Sequence, residues 1–147
     1  MKKGFTLIEL LAVIVILAII AAITIPIVIT SITNARKSTF ETDAKSLMLA
    51  AENYYSASYL SENIKLPITV TYENQKEITT YNGTEIGTGL DYTGKNPDSG
   101  NIKISAKGEI EINVYNKNLR ICAIKNKKDK TVKIKEMKED ECLKALS

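Results

Sequence analysis

Glu9 is the ionisable residue whose placement asks most of its surroundings, because no other charge follows it until Arg36. A carboxylate at the border of an apolar run is costly to bury and invites a positive partner, although one this close to an interface can also snorkel out as a tolerated acid. Five residues upstream stands Gly4, a small residue before Phe5 and behind Lys2 and Lys3. Cutting the Gly4–Phe5 bond would place a new amine on Phe5, and no other basic residue lies between Gly4 and Arg36. Two further groups have chemistry of their own. Cys122 and Cys142 can pair or stay separate, depending on compartment. Asp91, Asp98 and Asn101 offer oxygens in a glycine-rich stretch, but Asn96-Pro97-Asp98-Ser99-Gly100 is also an ordinary turn sequence and fits no calcium loop, so no metal is expected. The chain has no histidine, hence neither the commonest general base nor the commonest zinc ligand. No enzyme and no cofactor is expected.

The element that must carry Glu9 is a membrane-length helix. Leu10–Ile29 is apolar except for Thr24, with Pro26 its one helix breaker. Twenty residues at ~1.5 Å each cover ~30 Å, the thickness of a bilayer's hydrocarbon core. Lys2 and Lys3 favour a cytoplasmic N-terminus and an exported remainder. A cleaved secretory signal fits poorly, since the run is long and no A-x-A pattern follows. A plain signal anchor suffices for the apolar run but leaves Glu9 and the Gly4–Phe5 junction without a purpose. Net charge is +3 from 20 basic and 17 acidic side chains; without Lys2 and Lys3 it is 18 against 17, or +1. That balance argues against a nucleic-acid binder, which needs a basic face.

The run Lys3-Gly4-Phe5-Thr6-Leu7-Ile8-Glu9-Leu10, with the apolar stretch behind it, resembles the processing signature of the type IV pilin superfamily, which includes the type II secretion pseudopilins. The likeness spans Lys2–Asn34. It implies that a prepilin peptidase removes residues 1–4 between Gly4 and Phe5 and that Phe5 is then N-methylated. It implies that Glu9 and Phe5 serve assembly and that Pro26 bends the helix. Residues 5–30 then form the transmembrane and assembly helix, and 31–147 an exported head. The implied partners are further copies in a helical filament, other pilins, the peptidase, the membrane and an assembly machinery. The chain would sit in the cell membrane first and in an extracellular pilus or pseudopilus afterwards, serving adhesion, motility, DNA uptake or secretion. Many members tie the C-terminal region with a disulfide, which Cys122 and Cys142 would form here; the residues alone leave open that both are reduced or separately buried. The rival reading is a monomeric membrane-anchored binding module, and Glu9 with the Gly4–Phe5 junction separates the two.

Beyond the membrane run, Phe40, Ala44, Leu47, Ala51, Tyr54 and Ser58 recur every three or four residues, which predicts one amphipathic face. A single helix over 5–60 would be roughly 84 Å long at ~1.5 Å per residue. From Pro67 the period falls to two: Ile68, Val70 and Tyr72 predict a strand, and Ile78–Tyr81 a second short one. Tyr81–Asn101, with five glycines and Pro97, reads as an irregular connection holding at most short extended pieces. Ile102–Ala106, a Lys107-Gly108 turn and Ile110–Val114 predict a hairpin, followed by strands at Leu119–Ala123 and Val132–Ile134. The lysine-rich run Lys125–Lys138 reads as a solvated hairpin, secondarily as a surface for an acidic polymer. The expected fold class is α+β: a long N-terminal helical spine packed on a small antiparallel sheet.

Overall fold

The computed structural model describes residues 4–61, 64–87 and 89–145. Lys2 and Lys3 lie outside them. One helix, α1, runs Leu7–Ser58 over 52 residues with Pro26 inside it. The chain divides into two compact units, Met1–Arg36 and Lys37–Ser147. In the first, the large apolar side chains stay uncovered, from Phe5 at 89% exposed to Ile32 at 46%. By length and composition this stretch of α1 can cross a membrane.

The second unit holds seven strands: β1 (Ile68–Glu73), β2 (Lys76–Tyr81), β3 (Thr84–Ile86), β4 (Ser99–Ile104), β5 (Ile110–Asn116), β6 (Ile121–Lys125) and β7 (Lys133–Glu136), then a short helix α2 (Glu139–Lys144). All strand pairs are antiparallel, in the order β3-β2-β1-β4-β5-β6-β7. Pairing of β1 with β4, Val70 opposite Ile102, joins the two expected groups of strands into one sheet. Alternation sorts the faces: Val70, Ile102, Ile112 and Val114 are buried against Phe40, Ala44, Leu47 and Ala51 of α1. Covering a leucine such as Leu47 contributes ~1.5–3 kcal/mol, so a seam of such side chains stabilises the unit. At Gly100 the backbone takes φ +125°, and a Cβ there would lie 2.1 Å from the carbonyl oxygen of Asn113. No other residue fits that position. Gly108, with φ +81°, closes the β4–β5 turn beneath the ring of Tyr55.

The opposite face of the sheet is covered in part by α2. Tyr115, Cys122, Ile124 and Cys142 form a second, smaller core with Met137 at its margin. Asn113, 1% exposed, donates through Nδ2 to the carbonyls of Cys142 (3.3 Å) and Leu143 (3.1 Å), which satisfies the last turn of α2.

Several boundaries differ from those read in the sequence. Leu119 belongs to a turn and β6 starts at Ile121, because Arg120 takes a positive φ of 54° and reverses the chain there. Strand β4 begins at Ser99, inside the glycine-rich connection, and stops at Ile104, leaving Ala106 in the turn. Strand β3 is one of the short extended pieces allowed for the connection, and α2 was not expected. The first has three residues, and the second buries only Cys142, so neither carries a readable period.

Candidate processing and assembly site

Gly4, Phe5 and Thr6 precede the helix and take no regular structure. Thr6 is the residue that starts α1: its carbonyl accepts the first helical bond, from Leu10 N–H at 3.2 Å. Its side chain and that of Glu9 then satisfy each other's backbone. Thr6 N–H and Thr6 Oγ1 both donate to Glu9 Oε2 at 2.8 Å, and Glu9 N–H donates to Thr6 Oγ1 at 3.3 Å. This reciprocal arrangement is a capping box, which settles two of the donors that every helix start leaves orphaned. Glu9 also places negative charge on the positive end of the helix dipole.

The partner of Glu9 in the described chain is therefore Thr6. Phe5, whose nitrogen is an uncharged amide while the Gly4–Phe5 bond is intact, is adjacent but bonded to nothing on Glu9. The role of Thr6 escaped the reading of the residues as ionisable groups, although Thr6-Leu7-Ile8-Glu9 spells the S/T-x-x-E pattern that announces such a cap.

Gly4 has no packing reason to be glycine. A Cβ built on it meets nothing within 4 Å, and its φ is outside the range that disfavours side chains. Whatever requires a small residue there is not the fold of this chain. Pro26 sits within α1 and cannot donate to the carbonyl of Ala22. Around it, Thr24 Oγ1 and Thr30 Oγ1 donate back to the carbonyls of Ile20 (2.9 Å) and Pro26 (3.0 Å), so both hydroxyls are satisfied within the helix.

The remaining singled-out residues lie in the second unit. Cys122 and Cys142 form a disulfide with Cα atoms 5.7 Å apart, fastening α2 to β6. Asp98 is a turn hub: Gln75 Nε2 donates to Oδ1 at 2.7 Å and Lys117 N–H to Oδ2 at 2.8 Å. Asp91 is exposed in the connection before β4. Among the described residues no group of three or more histidine, cysteine or acidic side chains could hold a metal. The lysine run folds around Asp129, which accepts from Lys133 Nζ at 2.9 Å and from Asn126 N–H and Nδ2 at 3.3 and 3.1 Å. Those donors hold its carboxyl down at about 2. A second ion pair, Lys37 with Glu136, joins α1 to the end of β7 and keeps the Glu136 carboxyl below its ordinary value.

Residues 1–25 match the family model of the prokaryotic N-terminal methylation motif, the signature of type IV pilins and pseudopilins. Comparisons with curated proteins and with solved structures give no match.

Proposed function

We propose, with that motif as the premise, that the chain is a prepilin: a subunit that a prepilin peptidase trims between Gly4 and Phe5, that is N-methylated on Phe5, and that polymerises through its N-terminal helix. The motif itself supports a pilin-like or pseudopilin subunit, a structural rather than an enzymatic role. The finer reading divides the chain into a leader, 1–4, a membrane and assembly helix, 5–30, and an exported head, 31–147. Its partners are other copies, the peptidase, the membrane and an assembly machinery, and its final place is an extracellular filament.

The match to the motif carries this reading, and the state of Gly4 supports it. A glycine that no contact among the described residues needs, in a lead-in without regular structure before an exposed Phe5, suits a residue selected by an enzyme's cleft. The test is the intact mass of the protein from its own membrane. Loss of Met1–Gly4 with gain of one methyl group is expected. A mature N-terminus still at Met1, or beyond Ala22, would refute the proposal. Gly4→Val is expected to leave the precursor uncut while α1 and the head fold normally.

One observation favours a second reading. Because Thr6 already donates twice to Glu9 Oε2, the carboxylate has partners within its own chain, as a plain signal anchor would have it. Filament formation by Glu9 variants separates the two.

A further inference from the structure

The strongest charged surface of the second unit lies at its β7 edge. From Lys125 to Lys138 there are seven lysines against two carboxylates. Lys125 is buried and donates to the carbonyl of Ile110, while Lys127 and Lys133 pair with Glu109 and Asp129. Lys128, Lys130 and Lys135 are exposed and, among the described residues, make no ion pair. The bonds from Lys133 and Asn126 to Asp129 fix the β6–β7 turn, so Lys128 and Lys130 are presented by an ordered loop.

The counter-charge is on the same molecule. Beside α2, on the sheet face away from α1, a cleft of about 410 Å³ is lined by Glu73, Asp98 and Glu139. Lys117 is the one cation in its lining and pairs with Glu139 at 3.5 Å, so the lining keeps an excess of two acids. Among the described residues Glu73 is exposed and makes no ion pair, and Asn101 Oδ1 at the cleft is buried without a donor. Strand order puts β1 and β7 four spacings apart, or ~19 Å at ~4.8 Å each. That exceeds two Debye lengths of ~8 Å at physiological ionic strength, so Glu73 on β1 is screened from the lysine edge of its own chain.

We propose that the lysine edge, Lys128 and Lys130 at the β6–β7 turn with Lys135 on β7, docks into the Glu73–Asp98–Glu139 cleft of a second copy of this chain. This rests on the filament reading and gives it a head-to-head contact. The chain is nearly neutral once Lys2 and Lys3 are discounted, so its basic edge is matched by acid on its own surface and not left over for a foreign polyanion. Because edge and cleft are different surfaces, every copy offers one of each. Such a contact is heterologous, and unless its rotation closes a ring it repeats into an open helix. Edge lysines also deter strand-to-strand aggregation, a role that needs no acidic surface opposite them.

Charge reversal distinguishes these roles. In the full-length protein, Lys128→Glu with Lys130→Glu, and separately Glu73→Lys, are expected to lower sheared-filament yield about tenfold at physiological salt by setting like charges face to face. Combining all three is expected to restore yield to within about threefold, since the pair is swapped and not removed. A membrane-fraction blot and intact Cys122–Cys142 confirm each folded subunit. Undiminished filaments from both reversals, or losses that the combination fails to restore, would overturn the contact while leaving the filament reading in place. Undiminished filaments that have lost retention on heparin or duplex DNA would assign the lysines to a polyanion instead. Absence of filaments from the unaltered chain would overturn the filament reading and the contact together.

Discussion

In the uncut chain Thr6 donates twice to Glu9 Oε2, and the helix gains its cap from these bonds. Cleavage before Phe5 would create an ammonium within five residues, a stronger claimant for the same oxygens, since it adds the attraction of a full positive charge that the neutral donors of Thr6 lack. Cap and ion pair can be told apart by chemistry. Glutamine serves at the third position of a capping box as glutamate does, but it brings no charge. Glu9→Gln is therefore expected to keep the start of α1 and to lose filaments nearly as completely as Glu9→Ala, with processing intact in both. Electron microscopy beside a membrane-fraction blot reads this out, and normal filaments from Glu9→Ala would make the plain anchor the better account. At this scale the sequence was legible where a residue was conspicuous for its charge. Thr6 was passed over because a threonine beside apolar residues draws attention only once the cap it forms is considered.

Among the elements, those with a long period could be read directly. The stripe Phe40–Ala44–Leu47–Ala51 and the alternation Ile110–Ile112–Val114 repeat enough times to declare a face, and both are buried on it. The seam between β1 and β4 could not be read, because it joins strands about 30 residues apart through a connection with no period. Its register depends on Gly100 letting β4 lie close to β5. The pairing of Cys122 with Cys142 needed α2, six residues with one buried side chain, to bring the sulfurs together. The β6–β7 turn carries a prediction of its own. Lys133 first, then Asn126, lower the Asp129 carboxyl from 3.8 to about 2. A depressed carboxyl adds stability that is full above its unfolded value and fades as pH falls through the folded one. Between pH 4 and 2 the turn is expected to loosen, with the side-chain carboxyl resonance of Asp129 titrating near 2 and the amide of Asn126 exchanging faster. A midpoint near 4 would show that Lys133 and Asn126 do not hold it.

Taken as a whole, the molecule pairs an apolar helix segment with a sheet whose opposite parts differ in charge, and both halves bear on how copies could meet. A subunit in a filament is also a link in a rope, and for a link what matters is how far it stretches before it parts. The covalent bridge from β6 to α2 removes the segment between Cys122 and Cys142 from that stretch. Its 20 residues would extend to about 70 Å at ~3.5 Å each, yet their ends stay 5.7 Å apart whatever the tension. Single molecules pulled from both ends are expected to gain about 65 Å more contour length on unfolding with a reductant than without one. Equal extensions with and without reductant would mean that the bridge shields nothing. Under load, the oxidised head yields less rope than its residue count allows.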